Sequence, residues 1–213
     1  MDHRTAPDLR PLAAELRALP ASLGPVRLVA VDGHAGSGKT TFAGLLAAAL
    51  GGAPVVHLDD LATHQEFFGW TERLRAQVLA PLAAGRTAHF EAYDWVARRF
   101  QGARTIPAAP VVLLEGVGAG RRALRPQLAA LLWMELSAED ARERGLRRDG
   151  PELAGFWADW SRAEVAHFTA DPSRPFAQLR VDGRTSRPLQ PQLAKRSLDR
   201  GAAEELSSLS LPE

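Results

Sequence analysis

The chain has 213 residues, enough for one domain with a sizeable core, and its net charge of +1 offers no general attraction to nucleic acid or an anionic membrane. Cysteine is absent, which excludes disulfides, thiolate metal sites and a cysteine nucleophile. No apolar run approaches the ~18 residues of a membrane span, and the first residues lack the apolar region of a secretion signal. We therefore expect a cytoplasmic protein with neither nucleic acid nor membrane as a partner.

The hydrophobic pattern predicts strands that alternate with helices. Short apolar runs predict buried parallel strands in five segments, which are RLVAVDG, PVVHL, APVVLLEG, LLWMELS and AQLRVDG. Apolar residues at helical spacing predict helices over residues 9–19, 39–50, 71–84, 138–148 and 152–169. This alternation implies an α/β fold with a mainly parallel central sheet, helices on both faces, and ligands at the carboxyl ends of the strands.

The segment GHAGSGKT carries a phosphate-loop motif between a predicted strand and a predicted helix. Gly33, Gly38, Lys39 and Thr40 satisfy G-x-x-x-x-G-K-[ST], and His34 is interpreted as incidental. Glycines let backbone N–H groups turn toward phosphate oxygens, the helix start adds its positive dipole end, and the lysine reaches the outer phosphates. The predicted nucleotide-binding residues of the loop are Gly33, Ala35, Gly36, Ser37, Gly38, Lys39, Thr40 and Thr41. This motif in this context predicts a three-layer P-loop NTPase fold.

Two carboxylates follow apolar strands at the edge of the sheet where the phosphate loop also lies. Asp59 follows VVHL, and Glu115 follows VVLL. A carboxylate in such a place can bind magnesium or accept a proton from an attacking hydroxyl. A phosphate loop alone serves kinases, motors and switches, so these two acids are the feature that favours a transfer reaction.

Several segments together resemble the uridine kinase-like P-loop kinases. In chain order they are VDGHAGSGKTTFAGLLAAAL, VVHLDDL, RLRAQVLAPLAAGRTAHFEAYDW, VVLLEGVGA, RGLRRDG and AQLRVDG, and the match spans residues 28–183. The resemblance implies transfer of the γ-phosphoryl group of ATP, with magnesium, to a primary hydroxyl such as the 5′-hydroxyl of uridine or cytidine. The predicted units are an N-terminal helical segment (1–24), a P-loop kinase domain (25–185) with a short arginine lid near 142–152, and a partly ordered extension (186–213).

The same resemblance implies roles for single residues. Asp59 resembles the catalytic base, while Thr40 and Glu115 resemble magnesium ligands. The loop lysine, Lys39, and the loop amides would hold the β- and γ-phosphates and so take part in catalysis. In the predicted lid, Arg148 is the expected catalytic arginine, and Arg144 is an expected nucleotide contact.

The acceptor side departs from the family pattern. An arginine, Arg98, stands where uridine kinases carry a histidine that contacts the pyrimidine. The aspartate that anchors the sugar hydroxyls in the family is missing here, and Glu66 or Glu72 could substitute for it. The residues predicted to bind the acceptor are Asp59, Tyr93, Trp95 and Arg98.

Three alternatives stay open at the level of the sequence. The planar guanidinium of Arg98 would suit a carboxylate or phosphate, so an anionic acceptor that is not a nucleoside remains a candidate. A P-loop ATPase or switch that acts with a partner protein is a second alternative. The N-terminal helix and the tail leave open a homo-oligomer.

Overall fold

A five-stranded sheet forms the centre of the computed structural model, which describes residues 7–194. The strands are β1 (Arg27–Asp32), β2 (Val55–His57), β3 (Ala88–Asp94), β4 (Arg99–Ile106), β5 (Val111–Glu115), β6 (Ala130–Glu135) and β7 (Leu179–Asp182). The helices are α1 (Arg10–Ala18), α2 (Lys39–Ala49), α3 (Thr71–Leu74), α4 (Ala80–Ala83), α5 (Ala138–Asp149) and α6 (Ala154–Ala170). The central sheet has the order β2-β5-β1-β6-β7, and every neighbouring pair is parallel.

The central strands are apolar along their length because both faces of the sheet are covered. All five residues of β5 are buried, and in β1 every residue after Arg27 is buried. One face packs against α1 and α2, with Leu16 and Phe42 fully enclosed there. The other face packs against α3, α4 and the π-helical turn that joins them, Arg75–Leu79. The predicted α/β fold, with a parallel sheet between helical layers, is confirmed.

An antiparallel hairpin of β3 and β4 forms a second, separate sheet that the sequence pattern did not predict. Strand β3 alternates buried and exposed residues at its start, but β4 is exposed along most of its length. An exposed strand carries no apolar signal, so its sequence resembles a polar loop. Trp95, Val96 and Arg98 lie in the connection at the tip of this hairpin.

The chain segments at either end of the predicted kinase domain pack against it. Helix α1 buries Leu12, Ala13 and Leu16 in the core. After β7, the backbone N–H of Leu189 donates to the Arg180 carbonyl, and that of Leu193 donates to the Glu15 carboxylate. The rest of the predicted extension, residues 195–213, lies outside the described residues. Across residues 7–194 the helices are all too short or too polar to cross a membrane.

A buried carboxylate at the end of β1 joins the two loops that build the site. Asp32 is fully buried, and its Oδ1 accepts the N–H of Gly33 at 2.7 Å and of Gly118 at 2.9 Å. Its Oδ2 accepts the N–H of Gly120 at 2.8 Å. The first of these donors opens the phosphate loop, and the other two lie in the loop after β5. Asp32 therefore fixes the phosphate loop relative to the strand that ends at Glu115.

We expect Asp32→Asn to lower the free energy of unfolding by about 2 kcal/mol, because the amide replaces one accepting oxygen with an NH₂ group that faces a backbone donor. Urea denaturation followed by circular dichroism measures the loss. The exposed Asp159, whose carboxylate pairs with Arg162 on the surface of α6, provides the matched control Asp159→Asn. Equal stability of the two variants would contradict a structural role for Asp32.

Candidate active site

The phosphate loop wraps tightly between β1 and α2, and neighbouring backbone presses on its glycines. Gly36 has φ +85°, and a Cβ there would lie 2.1 Å from the carbonyl oxygen of Ala141 in α5. Gly38 has φ +96°, and a Cβ there would lie 3.0 Å from the carbonyl oxygen of Gly183. Both positions favour glycine because of their left-handed conformation, and at Gly36 the contact with the Ala141 carbonyl also excludes a side chain. Helix α2 begins at the next residue, Lys39, so its N-terminal end faces the loop.

A cavity of about 370 Å³ lies against this loop. Its lining residues are Ala35, Gly36, Gly38, Lys39, Thr40, Thr41, Asp59, Glu115, Val117, Arg144, Gly145, Arg147, Arg148 and Trp160. The buried Lys39 ammonium donates to the carbonyl oxygens of Gly33 at 3.0 Å and His34 at 2.9 Å. Six of the eight predicted loop residues line this cavity, together with both predicted magnesium ligands and both predicted lid arginines, whereas Gly33 and Ser37 are not among its lining residues. We call it the phosphate cavity.

Thr40 and Glu115 form an oxygen pair at the wall of the phosphate cavity. The Thr40 hydroxyl donates to Glu115 Oε1 at 3.2 Å, and His57 Nδ1 lies 2.6 Å from the same oxygen. The hydrogen bond to Glu115 raises the pKa of His57. One hydroxyl and one carboxylate fit magnesium, which takes oxygen ligands and is commonly held by one or two carboxylates with substrate phosphates. Residues 7–194 contain no cluster of three or more His, Cys, Asp or Glu side chains that would hold a metal ion without such phosphates.

Asp59 lies beyond the end of β2, in the 3₁₀ turn Leu58–Asp60, and its side chain keeps contact with solvent. It lines the phosphate cavity and also a second cavity. The carboxylate is exposed, but nearby protein atoms reduce its hydration and raise the pKa of Asp59; the negative charge of Glu115 raises it further, while Lys39 opposes the shift. An aspartate with a raised pKa between two cavities is suited to accept a proton.

The second cavity has a volume of about 290 Å³ and is rich in aromatic side chains. Its lining residues are Ala35, Asp59, His64, Trp95, Val96, Arg148, Asp149, Leu153, Phe156, Trp157 and Trp160. The residues that it shares with the phosphate cavity are Ala35, Asp59, Arg148 and Trp160. We call it the acceptor cavity. Its aromatic rings contact each other, with ring centroids 4.9 Å apart for His64 and Trp95 and 5.8 Å apart for Trp95 and Phe156.

Both predicted lid arginines, Arg144 and Arg148, lie in α5, and each has a protein partner. Arg148 binds the carboxylate of Asp149 through two nitrogens, which raises the pKa of Arg148 and lowers that of Asp149. Arg144 donates to the Gly183 carbonyl at 2.7 Å. Trp157 packs against Gly145, where a Cβ would lie 2.1 Å from the indole ring. Helix α6 therefore packs against the helix that carries the predicted lid arginines.

The other residues predicted to bind the acceptor are placed differently. Tyr93 is buried beside the acceptor cavity, where its hydroxyl lies 3.0 Å from His64 Nδ1. Burial lowers the pKa of His64, and the charge of Arg98 lowers it further. Arg98 itself is exposed at the hairpin tip, with φ +54°, and does not line the acceptor cavity. Neither Glu66 nor Glu72 lines that cavity, and Glu72 pairs with Arg75 on the surface.

The structure adds functional candidates that sequence reasoning missed. They are Asp32, His57, His64 and Glu164. Glu164 is buried in α6, and its Oε1 accepts the N–H of Ala35 at 2.7 Å while its Oε2 lies 3.2 Å from His34 Nδ1. His34, interpreted above as incidental, thus has a specific partner. Two of these residues could have been noticed in the sequence. Glu164 is a glutamate inside an apolar helix, and Asp32 is an aspartate at the end of an apolar strand.

Comparison with solved structures identifies the class of fold. A possible uridine kinase from Bacillus stearothermophilus matches with a TM-score of 0.59 and 20% identity, covering 81% of this chain and 97% of that one. A proposed fructose transport system kinase from Silicibacter sp. TM1040 matches with a TM-score of 0.49 and 22% identity, over 76% of this chain and 88% of that one. No protein-family model matches the chain, and no curated protein does.

The chain therefore has the three-layer fold of P-loop kinases, as its sequence predicted. Within that class, the expected resemblance to uridine kinase-like proteins is confirmed at the level of the fold by the first of these structures.

We expect the His57–Glu115 pair to stabilise the fold at low pH and to lose that effect as pH rises. Because the folded-state pKa of His57 is raised above 6.5, the contribution of the charged pair is complete below 6.5 and disappears as pH passes through the higher folded value. The measurement is the difference in free energy of unfolding between wild type and His57→Gln, from about pH 5 to about pH 9 with a chelator present. The same substitution made in a Glu115→Gln background is the control. A difference that does not change with pH would contradict the prediction.

Proposed function

We propose that the protein is an ATP-dependent phosphotransferase that phosphorylates a hydroxyl group of a small molecule. The observation that carries this proposal is the position of Asp59, which lines both the phosphate cavity and the acceptor cavity. A base in that position can reach a hydroxyl in one cavity and lies beside the phosphate site in the other. The P-loop kinase fold supports the same reaction.

The phosphate cavity supplies the groups that an ATP donor needs. Loop amides, Lys39 and the N-terminal end of α2 would hold the β- and γ-phosphates, because all three present positive charge or N–H donors to the cavity. Thr40 and Glu115 would hold a magnesium ion, which neutralises phosphate charge when it is bound. Arg144 lines the cavity near Gly38 and adds a fixed positive charge.

In the transfer step, Asp59 accepts the proton of the acceptor hydroxyl as the oxygen of that hydroxyl bonds to the γ-phosphorus. The bond between the γ-phosphorus and its bridging oxygen breaks, and ADP leaves. A raised pKa of Asp59 suits a base that must bind and release a proton. Arg148 lines both cavities and would stabilise the charge of the transferring group after it exchanges Asp149 for the phosphate.

The charges of the acceptor cavity support an uncharged acceptor with a flat ring, such as a uridine- or cytidine-like nucleoside with its 5′-hydroxyl toward Asp59. The charged lining residues are Asp59, Asp149 and Arg148, and the last two pair with each other. The carboxylate of Asp59 is therefore in excess, and it would repel an anionic acceptor. Trp95 and Phe156 offer ring faces for stacking. The position of Arg98 outside the lining gives no support to an anionic acceptor.

We expect magnesium-ATP turnover to depend on an added acceptor and on Asp59. In a coupled ADP assay, uridine and cytidine should stimulate ADP formation, and Asp59→Asn should lower kcat by about 100-fold or more, since general-base catalysis contributes that much. Other nucleosides, pantothenate and sugar phosphates complete the panel of acceptors.

Binding of magnesium-ATP to Asp59→Asn is the control, and it should remain intact because Lys39 and the loop are unchanged. If a sugar phosphate works and nucleosides do not, the reaction survives and the acceptor assignment fails. Turnover that no small hydroxyl compound changes would favour an ATPase or a switch that acts with a partner protein.

A pair of substitutions tests which residues contact the acceptor. Phe156→Ala should raise the acceptor KM by about tenfold, because stacking against an aromatic ring contributes on the order of 1–3 kcal/mol. Arg98→Gln should leave KM nearly unchanged, since this side chain is exposed at the hairpin tip. Steady-state kinetics with the best acceptor of the panel measures both values. If Arg98→Gln raised the acceptor KM more than Phe156→Ala did, Arg98 and not Phe156 would contact the acceptor.

A further inference from the structure

One helix contributes both to the acceptor cavity and to the support of the phosphate loop. Phe156, Trp160, Glu164 and Phe168 are four residues apart in α6, so they lie on one face of the helix. The first two line the acceptor cavity, and Trp160 also lines the phosphate cavity. The next position along the same face, Glu164, contacts the phosphate loop. This face of α6 therefore runs from the wall of the acceptor cavity to the phosphate loop.

The contact between α6 and the loop involves two consecutive loop residues. The Glu164 side chain is only 9% exposed, and it binds both the N–H of Ala35 at 2.7 Å and His34 Nδ1 at 3.2 Å. The His34 ring also packs edge-on against Phe168, with ring centroids 5.2 Å apart, and against Trp133 of β6. A buried carboxylate that accepts an N–H at this distance makes a strong, directional bond. These contacts fix the apex of the loop to α6.

Ala35 is the residue through which this contact would affect both substrates. It lines the phosphate cavity and the acceptor cavity, so the position of its backbone sets part of the boundary between them. A loop held in place before the nucleotide arrives loses less conformational freedom on binding than a mobile loop does. The carboxylate of Glu164 is not among the residues that line either cavity, and its effect on a ligand would be indirect.

We propose that Glu164 is a positioning residue that holds the apex of the phosphate loop in its nucleotide-binding conformation and in register with the acceptor wall on α6. This inference rests on the nucleotide site of the proposed function. The Glu164 carboxylate would then connect the phosphate loop to the helix that lines the acceptor cavity. Its loss should weaken nucleotide binding even though no residue that lines the phosphate cavity is changed.

The test measures binding of the magnesium complex of β,γ-imido-ATP by titration calorimetry. Glu164→Ala should raise Kd by about tenfold, equivalent to about 1.4 kcal/mol. Glu164→Gln should stay within about threefold of wild type, because its amide oxygen can still accept the Ala35 N–H. Hydrogen exchange at the Ala35 amide in the nucleotide-free protein provides a direct second readout. Exchange should be faster in the alanine variant and close to wild type in the glutamine variant.

Asp171→Asn provides a matched destabilised control at the end of the same helix. Asp171 directly follows α6, and its carboxylate accepts the Arg122 N–H and a hydrogen bond from the Arg125 guanidinium, which joins the end of the helix to the segment after β5. It lines neither cavity. The Asp171→Asn substitution should lower the melting temperature of the protein while leaving the Kd for the nucleotide analogue within about twofold of wild type. Wild-type affinity in Glu164→Ala, or an equal loss of affinity in both variants at equal loss of melting temperature, would overturn the positioning role. Failure of the wild-type protein itself to bind the analogue would instead overturn the proposed function.

Discussion

The hydrogen bonds of the Asp32 carboxylate hold together the two halves of the phosphate site. Three backbone N–H groups from two loops converge on this one side chain at the end of β1. It adds side-chain anchors for both loops to the backbone pairing of β1 with β5, which ends with the Gly116 N–H donating to the Val31 carbonyl. A fully buried charge is costly, and its three charge-assisted bonds offset that cost.

The site combines two kinds of surface with different chemistry. The donor side is polar and is built from backbone amides, Lys39, Thr40 and Glu115 on the parallel sheet. The acceptor side is aromatic and is built from the hairpin tip and α6. Asp59 lies where these surfaces meet, and reduced hydration together with the nearby negative charge of Glu115 raises its pKa. The proposed role of Asp59 as a base therefore depends on how the two surfaces are joined.

The fold could be predicted from sequence where burial leaves a pattern. The central strands are enclosed on both faces, so their apolar runs were unambiguous, and the phosphate loop has a motif with a physical reason for each residue. The hairpin was missed because β4 is exposed and looks like a loop. The partners of Asp32 and Glu164 could not be predicted either. Gly118 lies 86 positions from Asp32, and Ala35 lies 129 positions from Glu164, so only the folded chain brings them together.

Residue spacing also gave incomplete information on the acceptor side. Arg98 follows the aromatic element at the position of a substrate contact in the resembled family, yet the chain turns at the hairpin tip and leaves this side chain exposed. Trp95, three residues earlier, lines the acceptor cavity. The local direction of the backbone, which linear spacing does not encode, separates these two residues.

The two ends of the hairpin lie side by side, and its buried face packs into the main hydrophobic core. Ala88, at the start of β3, pairs with Ile106, at the end of β4, so the chain leaves and re-enters the main body at almost the same place. Between those points the hairpin supplies Trp95 and Val96 to the acceptor wall, while the central sheet that carries the phosphate loop is formed by other strands. The tip of the hairpin can therefore vary in sequence or length without changing the strands that carry the phosphate loop, provided that the buried side chains at its base are kept. If the proposed function holds, such variation would alter the range of acceptors and leave the nucleotide site unchanged.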